Sequence, residues 1–249
     1  MKITVILLLS ILALYSCTQK FENEQTKPSI IFILTDDQGY GDLGCHGNEV
    51  IQTPQLDKLY EESIRFTNYH CGTTCAPTRA GIMTGKHNDR VGVWHTVMGR
   101  YLLDKEETTI ADAFQSAGYT TAIFGKWHLG DNYPYHPNDR GFDVAVTHGG
   151  GGVGQAPDYW NNDYFDDTYF VNRHPEKFDG YCTDVWFQEA LKFIEANKDN
   201  PFFCYISTNA PHGPYIVPQK YRDMYVSKEN IPSADSHGPT FSAMITNIH

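Results

Sequence analysis

The chain has 249 residues, of which 41% are hydrophobic, and this is enough apolar material for one large globular domain or two small ones. Its formal net charge of −11 argues against nucleic acid as a partner, because nucleic-acid-binding surfaces are basic. An anionic substrate is still allowed, since a few local cations and a bound metal can set the field inside a pocket.

Residues 1–16 are predicted to be a signal peptide rather than part of the fold. Lys2 precedes an apolar run at residues 3–14 that is too short to span a bilayer. The run ends in the letters L-Y-S-C at Cys17, which resemble a bacterial lipobox, so we expect cleavage before Cys17 and lipid on its thiol. Residues 17–27 would be a tether, and the protein would be an exported periplasmic or cell-surface lipoprotein held at the membrane. A plain secretory signal is the alternative.

The remaining elements alternate between strands and helices. In chain order they are a strand at residues 29–35, a helix at 54–63, a helix that has Pro77 in its first turn and ends at Gly85, a helix at 108–117, a strand at 120–125, a helix at 182–198, a strand at 202–208 and a helical pattern from Phe241. The three strands are continuous apolar runs, which predict burial on both faces. This alternation predicts an α/β fold with a mainly parallel central sheet flanked by helices.

The helix at residues 182–198 has the clearest amphipathic pattern. Thr183 is the predicted N-cap. The predicted apolar face consists of Val185, Phe187, Ala190, Leu191 and Ile194. Cys204 lies inside an apolar strand and is expected to be a buried thiol. Export permits disulfides among the other cysteines, but their pairing cannot be deduced from the sequence.

Polar side chains follow each of the three predicted strands. Asp36 and Asp37 come after the first, Lys126 and His128 after the second, and His212 after the third. Ligands of parallel α/β sheets bind beyond the carboxyl ends of the strands, so we expect these side chains to meet at one edge. Lys126 and His128 are two residues apart and would face the same way on an extended segment.

The segment C-A-P-T-R-A-G-I-M-T-G, which starts at Cys75, places a cysteine at the start of a helix. Pro77 suits the first turn, and Arg79 lies one turn along on the same face as Cys75. The helix dipole and Arg79 are expected to lower the pKa of the Cys75 thiol and to attract anions. A structural cysteine beside a turn is the alternative.

This segment resembles the sulfatase signature C-x-P-x-R, whose cysteine is oxidised after synthesis to formylglycine. The segment G-Y-T-T-A-I-F-G-K-W-H-L-G, at residues 118–130, resembles the second sulfatase signature. The pair Asp36-Asp37 after the first strand and the segment A-P-H ending at His212 resemble two further elements of the family. The chain is therefore identified from its sequence as a member of the sulfatases.

The resemblance implies an alkaline-phosphatase-like fold, with residues 28–249 as the N-terminal part of the catalytic domain. Sulfatases continue further, with a second metal-binding pair, a catalytic lysine and a small C-terminal sheet subdomain. Those parts are expected to be missing from this chain, so the fragment itself could lack activity. The implied activity is hydrolysis of sulfate esters, on sulfated glycans or aryl sulfates.

The same resemblance assigns roles to single residues. Cys75, matured to formylglycine by a formylglycine-generating enzyme, would be the nucleophile, and Arg79 would stabilise its hydrate. Lys126 would bind sulfate, and His128 would help to deprotonate the hydrate. His212 would contact sulfate and protonate the leaving alcohol.

The metal ligands implied by the family are Asp36, Asp37 and the oxygen that replaces the thiol of Cys75. Hard oxygen donors suit Ca²⁺ or Mg²⁺, and sulfatases most often use Ca²⁺. Adjacent side chains of a strand point to opposite faces, so two neighbouring ligands require the strand to end before them. A solvated acidic turn is the alternative on local sequence alone.

Two further segments are candidates for contact with substrate. His148 precedes the glycine run 149–152, which would form a loop over the site, and in some sulfatases a residue from this region touches sulfate. Residues 159–163 mix aromatic and amide side chains, a composition found both at sugar-binding sites and in simple packing.

Two other functions fit the same sequence. One is a phosphomonoester or phosphonate hydrolase of the alkaline-phosphatase superfamily, whose members usually carry serine or threonine as the nucleophile. The other is a non-catalytic, surface-anchored glycan-binding remnant, which the half-complete metal site would suit. Relative turnover of matched sulfate and phosphate esters separates the first of these from a sulfatase, and the second would be favoured if the natural polypeptide ended at His249.

Overall fold

The structure is a computed structural model that describes residues 27–226 and 238–249. The predicted signal peptide, Cys17 and the rest of the tether before Lys27 lie outside these ranges. Among the helices of the described part, none is both long enough and apolar enough to cross a membrane.

Six strands form one sheet in the order β1-β6-β2-β3-β4-β5. They are β1 (Ile30–Leu34), β2 (Thr120–Lys126), β3 (Val144–His148), β4 (Thr168–Val171), β5 (His174–Lys177) and β6 (Phe202–Ser207). The first four strands in sheet order run parallel, and β4 and β5 form an antiparallel extension. The predicted α/β class with a mainly parallel sheet is confirmed.

Helices cover the two faces of this sheet. They are α1 (Pro54–Glu62), α2 (Cys75–Thr84), α3 (Ile110–Ser116), α4 (Cys182–Asn197), α5 (Gln219–Arg222) and α6 (Gly238–Ile248). On one face α4 and α6 bury Trp186 and Met244 against the strands, and on the other α2 and α3 bury Met83 and Ala111. Burial of apolar surface on both faces is the main favourable term that holds β2 and β6 in the centre.

The prediction that the first strand is buried on both faces was wrong. β1 is an edge strand, paired through β6 alone, and its residues alternate between partly buried and exposed. Ile30 and Leu34 pack towards α2, while Ile31 and Ile33 are 51% and 52% exposed. α4 packs on β2 and β6 and leaves those two side chains uncovered.

Two details predicted for the helix at residues 182–198 were also wrong. The helix begins at Cys182 after Tyr181, which makes no side-chain cap, so Thr183 lies buried inside the first turn instead of capping it. Leu191 is 64% exposed, and Trp186 and Phe193 take its place in the core. The five described cysteines are free thiols, and Cys204 is fully buried as expected.

Gly125, just before the end of β2, allows β2 and β6 to approach closely. Its φ is +105°, and a Cβ there would overlap the carbonyl oxygen of Ser207 on β6. We expect Gly125→Ala to lower the free energy of unfolding by about 1–3 kcal/mol more than Gly92→Ala. Gly92 also has a positive φ (+75°), but it faces open space. Urea denaturation of both variants measures the difference, and equal losses would contradict the close-packing argument.

Candidate active site

The two aspartates after β1 lie in a turn at the carboxyl edge of the sheet. β1 ends at Leu34, and the backbone N–H of Asp36 donates to the carbonyl oxygen of Ala210 at 3.0 Å. Asp37 has a φ of +64°, so the extended conformation has ended, as two neighbouring ligands require. Asp36 is buried and Asp37 is 57% exposed. The turn therefore presents one carboxylate to the interior and the other to the surface.

Cys75 is the first residue of α2, and Gly85 ends the helix as predicted. Gly85 has a left-handed conformation, and its N–H donates to the carbonyl oxygen of Gly81. The approach to the helix is fixed by the Thr78 hydroxyl, which donates to the carbonyl oxygen of Gly72 at 2.9 Å. Cys75 is partly buried at the wall of a cavity of about 420 Å³ that also reaches Asp36 and Asp37.

The prediction of a lowered thiol pKa was wrong. Burial raises the pKa of Cys75, and the nearby carboxylate of Asp36 raises it further. The charges of Lys126 and Arg79 act in the opposite direction but do not outweigh these effects. The unmodified thiol is therefore a poor nucleophile at neutral pH, and the site does not activate cysteine as such.

Asp36, Arg79 and Lys126 form a buried charge cluster. The Lys126 ammonium bonds one oxygen of Asp36, and Arg79 Nη2 lies 3.4 Å from the other. Burial opposes ionisation of Asp36, but Arg79 and Lys126 outweigh it and lower the pKa of this carboxyl to about 2. The cluster thus holds two cations against one carboxylate away from solvent.

Arg79 is fixed by neighbours on two strands, β2 and β6. Its Nη1 donates to the carbonyl oxygen of Lys126 at 2.8 Å, to the hydroxyl of Ser207, and over 3.5 Å to the hydroxyl of Tyr205. Its Nε has no hydrogen-bond partner within the described ranges, and its Nη2 has the 3.4 Å ion pair with Asp36 as its described contact. Donors left free on a buried cation favour an anionic ligand, and the bidentate fork of arginine matches the oxygens of sulfate or phosphate.

The possible metal-binding side chains at this edge of the sheet fit part of a metal site. An oxygen of Asp36, the sulfur of Cys75 and a nitrogen of His212 lie within 4.8 Å of one another. Asp37 Oδ2 lies 3.7 Å from His212 Nε2. Two carboxylates suit a hard divalent cation, but Ca²⁺ takes six to eight oxygen ligands, so Asp36 and Asp37 supply only a share of them.

His128 follows β2, but not on an extended segment. β2 ends at Lys126, and His128 has a φ of +58°, so the expectation based on strand alternation was wrong. His128 nevertheless lies near the cluster. Burial, followed by the charges of Lys126 and Arg79, lowers its pKa to about 3. Its Nε2 lies 3.0 Å from the carbonyl oxygen of Thr96, and its Nδ1 has no described partner. An Nε2–H that donates to Thr96 leaves a free lone pair on Nδ1.

His212 lies beyond β6 and faces the aspartates. Its Nδ1 lies 2.5 Å from the carbonyl oxygen of Gly213, so Nδ1 carries the proton and Nε2 faces Asp37. The backbone N–H of His212 donates to Asn209, whose side chain accepts from the indole of Trp186 at 2.9 Å. The segment after β6 is thus anchored in the core of the α4 face, and all the sequence-predicted catalytic residues meet at one sheet edge.

His148 ends β3 directly beside Lys126 in the sheet register. It is 2% exposed, and burial lowers its pKa. Its Nδ1 bonds the carbonyl oxygen of Gly149, and its Nε2 has no described partner. The glycine run that follows is pinned, because the N–H groups of Gly149 and Gly150 donate to the carboxylates of Asp158 and Asp131.

Sequence reasoning missed the groups that orient the side chains predicted to be catalytic. Ser207 and Tyr205 on β6 bind Arg79, and the carbonyl of Thr96 binds His128. A serine at the end of a predicted strand was the only available signal, and a backbone carbonyl leaves none. In the segment 159–163, Asn162 bonds both the N–H and the carbonyl of Thr168, which is a structural role.

Buried His136 makes the free energy of unfolding depend on pH. Burial lowers the pKa of His136 from 6.5 to about 4, so the unfolded chain binds the extra proton between these values. The stability it contributes is present above pH 6.5 and is lost as the pH falls towards 4, by up to about 3 kcal/mol. We expect His136→Asn, which keeps an acceptor for the N–H of Asn138, to flatten the dependence of unfolding free energy on pH.

The matched control is His87→Asn. His87 accepts from a backbone N–H at the start of a similar turn, but it is 74% exposed. The free energy of unfolding of the His87→Asn variant, plotted against pH, should run parallel to that of the unmodified protein between pH 4 and 6.5. If His136→Asn also ran parallel, the argument from burial would fail.

Comparison with known proteins decides the family. The family model described as Sulfatase matches residues 28–246, which is most of the chain. The chain belongs to the sulfatase family. The ulvan-active sulfatase of Formosa agariphila is 34% identical to it over 264 residues, an alignment that covers 98% of this chain and 48% of that protein.

Solved structures give the same fold. The crystal structure of Ps i-CgsB in complex with k-i-k-neocarrahexaose matches with a TM-score of 0.75 and 28% identity, over 90% of this chain and 52% of that one. BT4656 in complex with its substrate D-glucosamine-2-N,6-O-disulfate matches with a TM-score of 0.65 and 30% identity, over 79% and 37%. The sulfatase chain described here spans about half the length of these relatives, and its alkaline-phosphatase-like fold is that of the family.

Proposed function

We propose that this chain supplies the nucleophile and part of the metal site of an enzyme that hydrolyses sulfate esters of carbohydrates. The observation that carries the proposal is the convergence of Cys75, Asp36 and His212 on a buried pair of cations, Arg79 and Lys126. Two cations against one internal carboxylate leave the positive charge that an anionic sulfate group requires.

The chemistry we propose takes place at an oxidised residue 75, because Cys75 stands in the C-x-P-x-R segment. As formylglycine, residue 75 would exist as a hydrate with two hydroxyl groups on one carbon. One hydroxyl attacks sulfur, the bond from sulfur to the ester oxygen breaks, and the alcohol leaves with a proton. The second hydroxyl then loses its proton, the carbon–oxygen double bond re-forms, and sulfate departs. This is covalent catalysis, and a plain serine or cysteine lacks the second step.

In this proposal the two histidines perform the two proton transfers. The neutral imidazole of His128, with a free lone pair on Nδ1, can accept a proton from the hydrate. His212, whose Nε2 faces Asp37, would give a proton to the leaving alcohol. Lys126 contributes positive charge to the site while its ammonium bonds Asp36. For direct contact with sulfate, the ammonium would have to bond the sulfate and Asp36 at the same time.

A divalent cation, Ca²⁺ or Mg²⁺, would be held by Asp36 and Asp37 and would supply Lewis-acid stabilisation of the sulfate oxygens. Arg79 and Lys126 keep Asp36 ionised and therefore ready to bind it. The other ligands would come from parts of the longer polypeptides to which this chain is similar.

The experiment is peptide mass spectrometry of residue 75 after expression in a host that has a formylglycine-generating enzyme, followed by turnover of matched aryl sulfate and aryl phosphate esters. We expect an aldehyde at residue 75 and faster hydrolysis of the sulfate. An intact thiol with no hydrolysis would favour a glycan-binding remnant. Faster hydrolysis of the phosphate would favour a phosphomonoester or phosphonate hydrolase.

We also propose that the protein is exported and anchored by lipid on Cys17, which suits a polymeric glycan substrate outside the cell. Support comes from the apolar run at residues 3–14 and the L-Y-S-C sequence that follows it. Cys17→Ala should release the protein from the membrane fraction, and retention there would contradict the anchor.

A further inference from the structure

The glycine run at residues 149–152 lies against the ring of His128. Of its four glycines, Gly150 alone has a positive φ, so the backbone does not require glycine at the other three positions. At residue 151 the reason for glycine is space, because a Cβ there would lie 2.8 Å from both Cε1 and Nε2 of His128. At residue 152 the nearest atoms to a Cβ belong to the amide end of Gln155, an exposed side chain that can turn away. Glycine at residue 151 therefore serves the position of His128.

Two carboxylates hold the glycine run in this place. Asp131 accepts from the N–H of Gly150 at 2.8 Å. Asp158 accepts from the N–H of Gly149 at 2.9 Å. Asp131 lies three residues after His128 in the chain, so the glycine run is bound to the same segment whose histidine it contacts.

The ring of His128 is fixed on its other sides as well. Its Nε2 lies 3.0 Å from the carbonyl oxygen of Thr96, and its centroid lies 5.5 Å from that of the Tyr101 ring. His128 is 6% exposed, so a ring pushed away from residue 151 has little free space to enter. The direction of Nδ1, the ring nitrogen without a described partner, is set by these contacts.

We propose that Gly151 is a positioning residue for His128, and that Asp131 holds Gly151 in place through the neighbouring Gly150. This inference rests on the proposed function, in which Nδ1 of His128 accepts a proton from the hydrate of residue 75. A general base must lie within hydrogen-bond reach of the proton that it takes. A methyl group at residue 151 would displace the ring and make His128 a poorer base.

Gly151→Ala tests the proposal by displacing the ring. NMR of the natural protein with ¹⁵N-labelled histidine is recorded at neutral pH, and His128→Asn identifies the His128 signals by their loss. We expect separate signals for protonated Nε2 and unprotonated Nδ1 in the unmodified protein. In Gly151→Ala the two signals should move closer together, because the bond from Nε2–H to Thr96 is weakened. The kcat for an aryl sulfate should fall about tenfold to a hundredfold, with KM changed by less than about twofold.

Gly152→Ala is the matched control, because its methyl group faces Gln155 instead of the His128 ring. It should leave the His128 signals in place and kcat within about twofold of the original. Asp131 gives a second test that adds no atoms beside the ring. Asp131→Ala removes the acceptor for the N–H of Gly150 and should shift the His128 signals, whereas Asp131→Asn keeps a side-chain oxygen and should retain them.

The outcomes separate this inference from the proposed function. Unchanged His128 signals in Gly151→Ala, or equal changes in Gly152→Ala, would overturn the positioning role, and so would shifted signals with an unchanged kcat. Equal shifts in Asp131→Ala and Asp131→Asn would overturn the part assigned to Asp131. Shifted signals in Gly151→Ala, in a protein that does not hydrolyse aryl sulfate before substitution, would leave the contact of Gly151 with His128 standing and would overturn the proposed function instead.

Discussion

Replacing Cys75 with alanine is expected to abolish sulfate ester hydrolysis, with a loss on the order of a thousandfold or more in kcat. Alanine cannot be oxidised to an aldehyde, so the hydrate that attacks sulfur cannot form. The side chain is small and helix-compatible, and Cys75 is only partly buried, so we expect the fold to survive. The effect is measured as the initial rate of aryl sulfate hydrolysis by the natural protein. Circular dichroism checks that the variant is folded.

Cys71→Ala is the matched control. Cys71 is four residues earlier, is exposed, and lines the same cavity as Cys75, but it stands outside the C-x-P-x-R segment. Its substitution should leave the rate within about twofold of the original. Hydrolysis that persists in Cys75→Ala would show that another group attacks sulfur, and equal losses in both variants would indicate damage to the cavity in general.

The sequence placed the candidate site well because its elements follow a topological rule. Asp36 and His212 follow the apolar runs of β1 and β6, Lys126 ends that of β2, and parallel strands end at a common edge. The start of α2 at Cys75 and its end before Gly85 followed from proline and glycine chemistry, which is local. Local signals of this kind can be interpreted without knowledge of the fold.

Other features depended on long-range neighbours. The exposure of Ile31 and Ile33 reflects the position of β1 at the sheet edge, which an apolar run does not reveal. The raised pKa of Cys75 depends on burial and on Asp36, which is 39 positions away in the chain. The helix dipole and Arg79 were the contributions visible from the sequence, and the lowering of the thiol pKa by Arg79 is outweighed by burial and Asp36.

Replacing Lys126 with methionine is expected to lower the free energy of unfolding by about 3–5 kcal/mol, as measured by urea denaturation. Lys126 is fully buried and bonds Asp36, which is 4% exposed. Methionine has a similar volume, so little cavity forms, and the loss reports the carboxylate left with Arg79 as its single cationic partner. Lys198→Met is the control, because Lys198 pairs with Glu195 on the surface of the protein and should change stability by less than about 1 kcal/mol.

A double-mutant cycle with Asp36→Asn separates the ion pair from packing. If the pair carries the effect, Asp36→Asn should also be destabilising, since it leaves Lys126 and Arg79 buried with no carboxylate between them. The double variant should then lose less than the sum of the two singles, by more than about 1 kcal/mol. Additive losses would instead mean that Lys126 acts through packing alone. Arg79 alone would then keep the Asp36 carboxylate ionised. Lys126 could bind sulfate without lowering the free energy of unfolding.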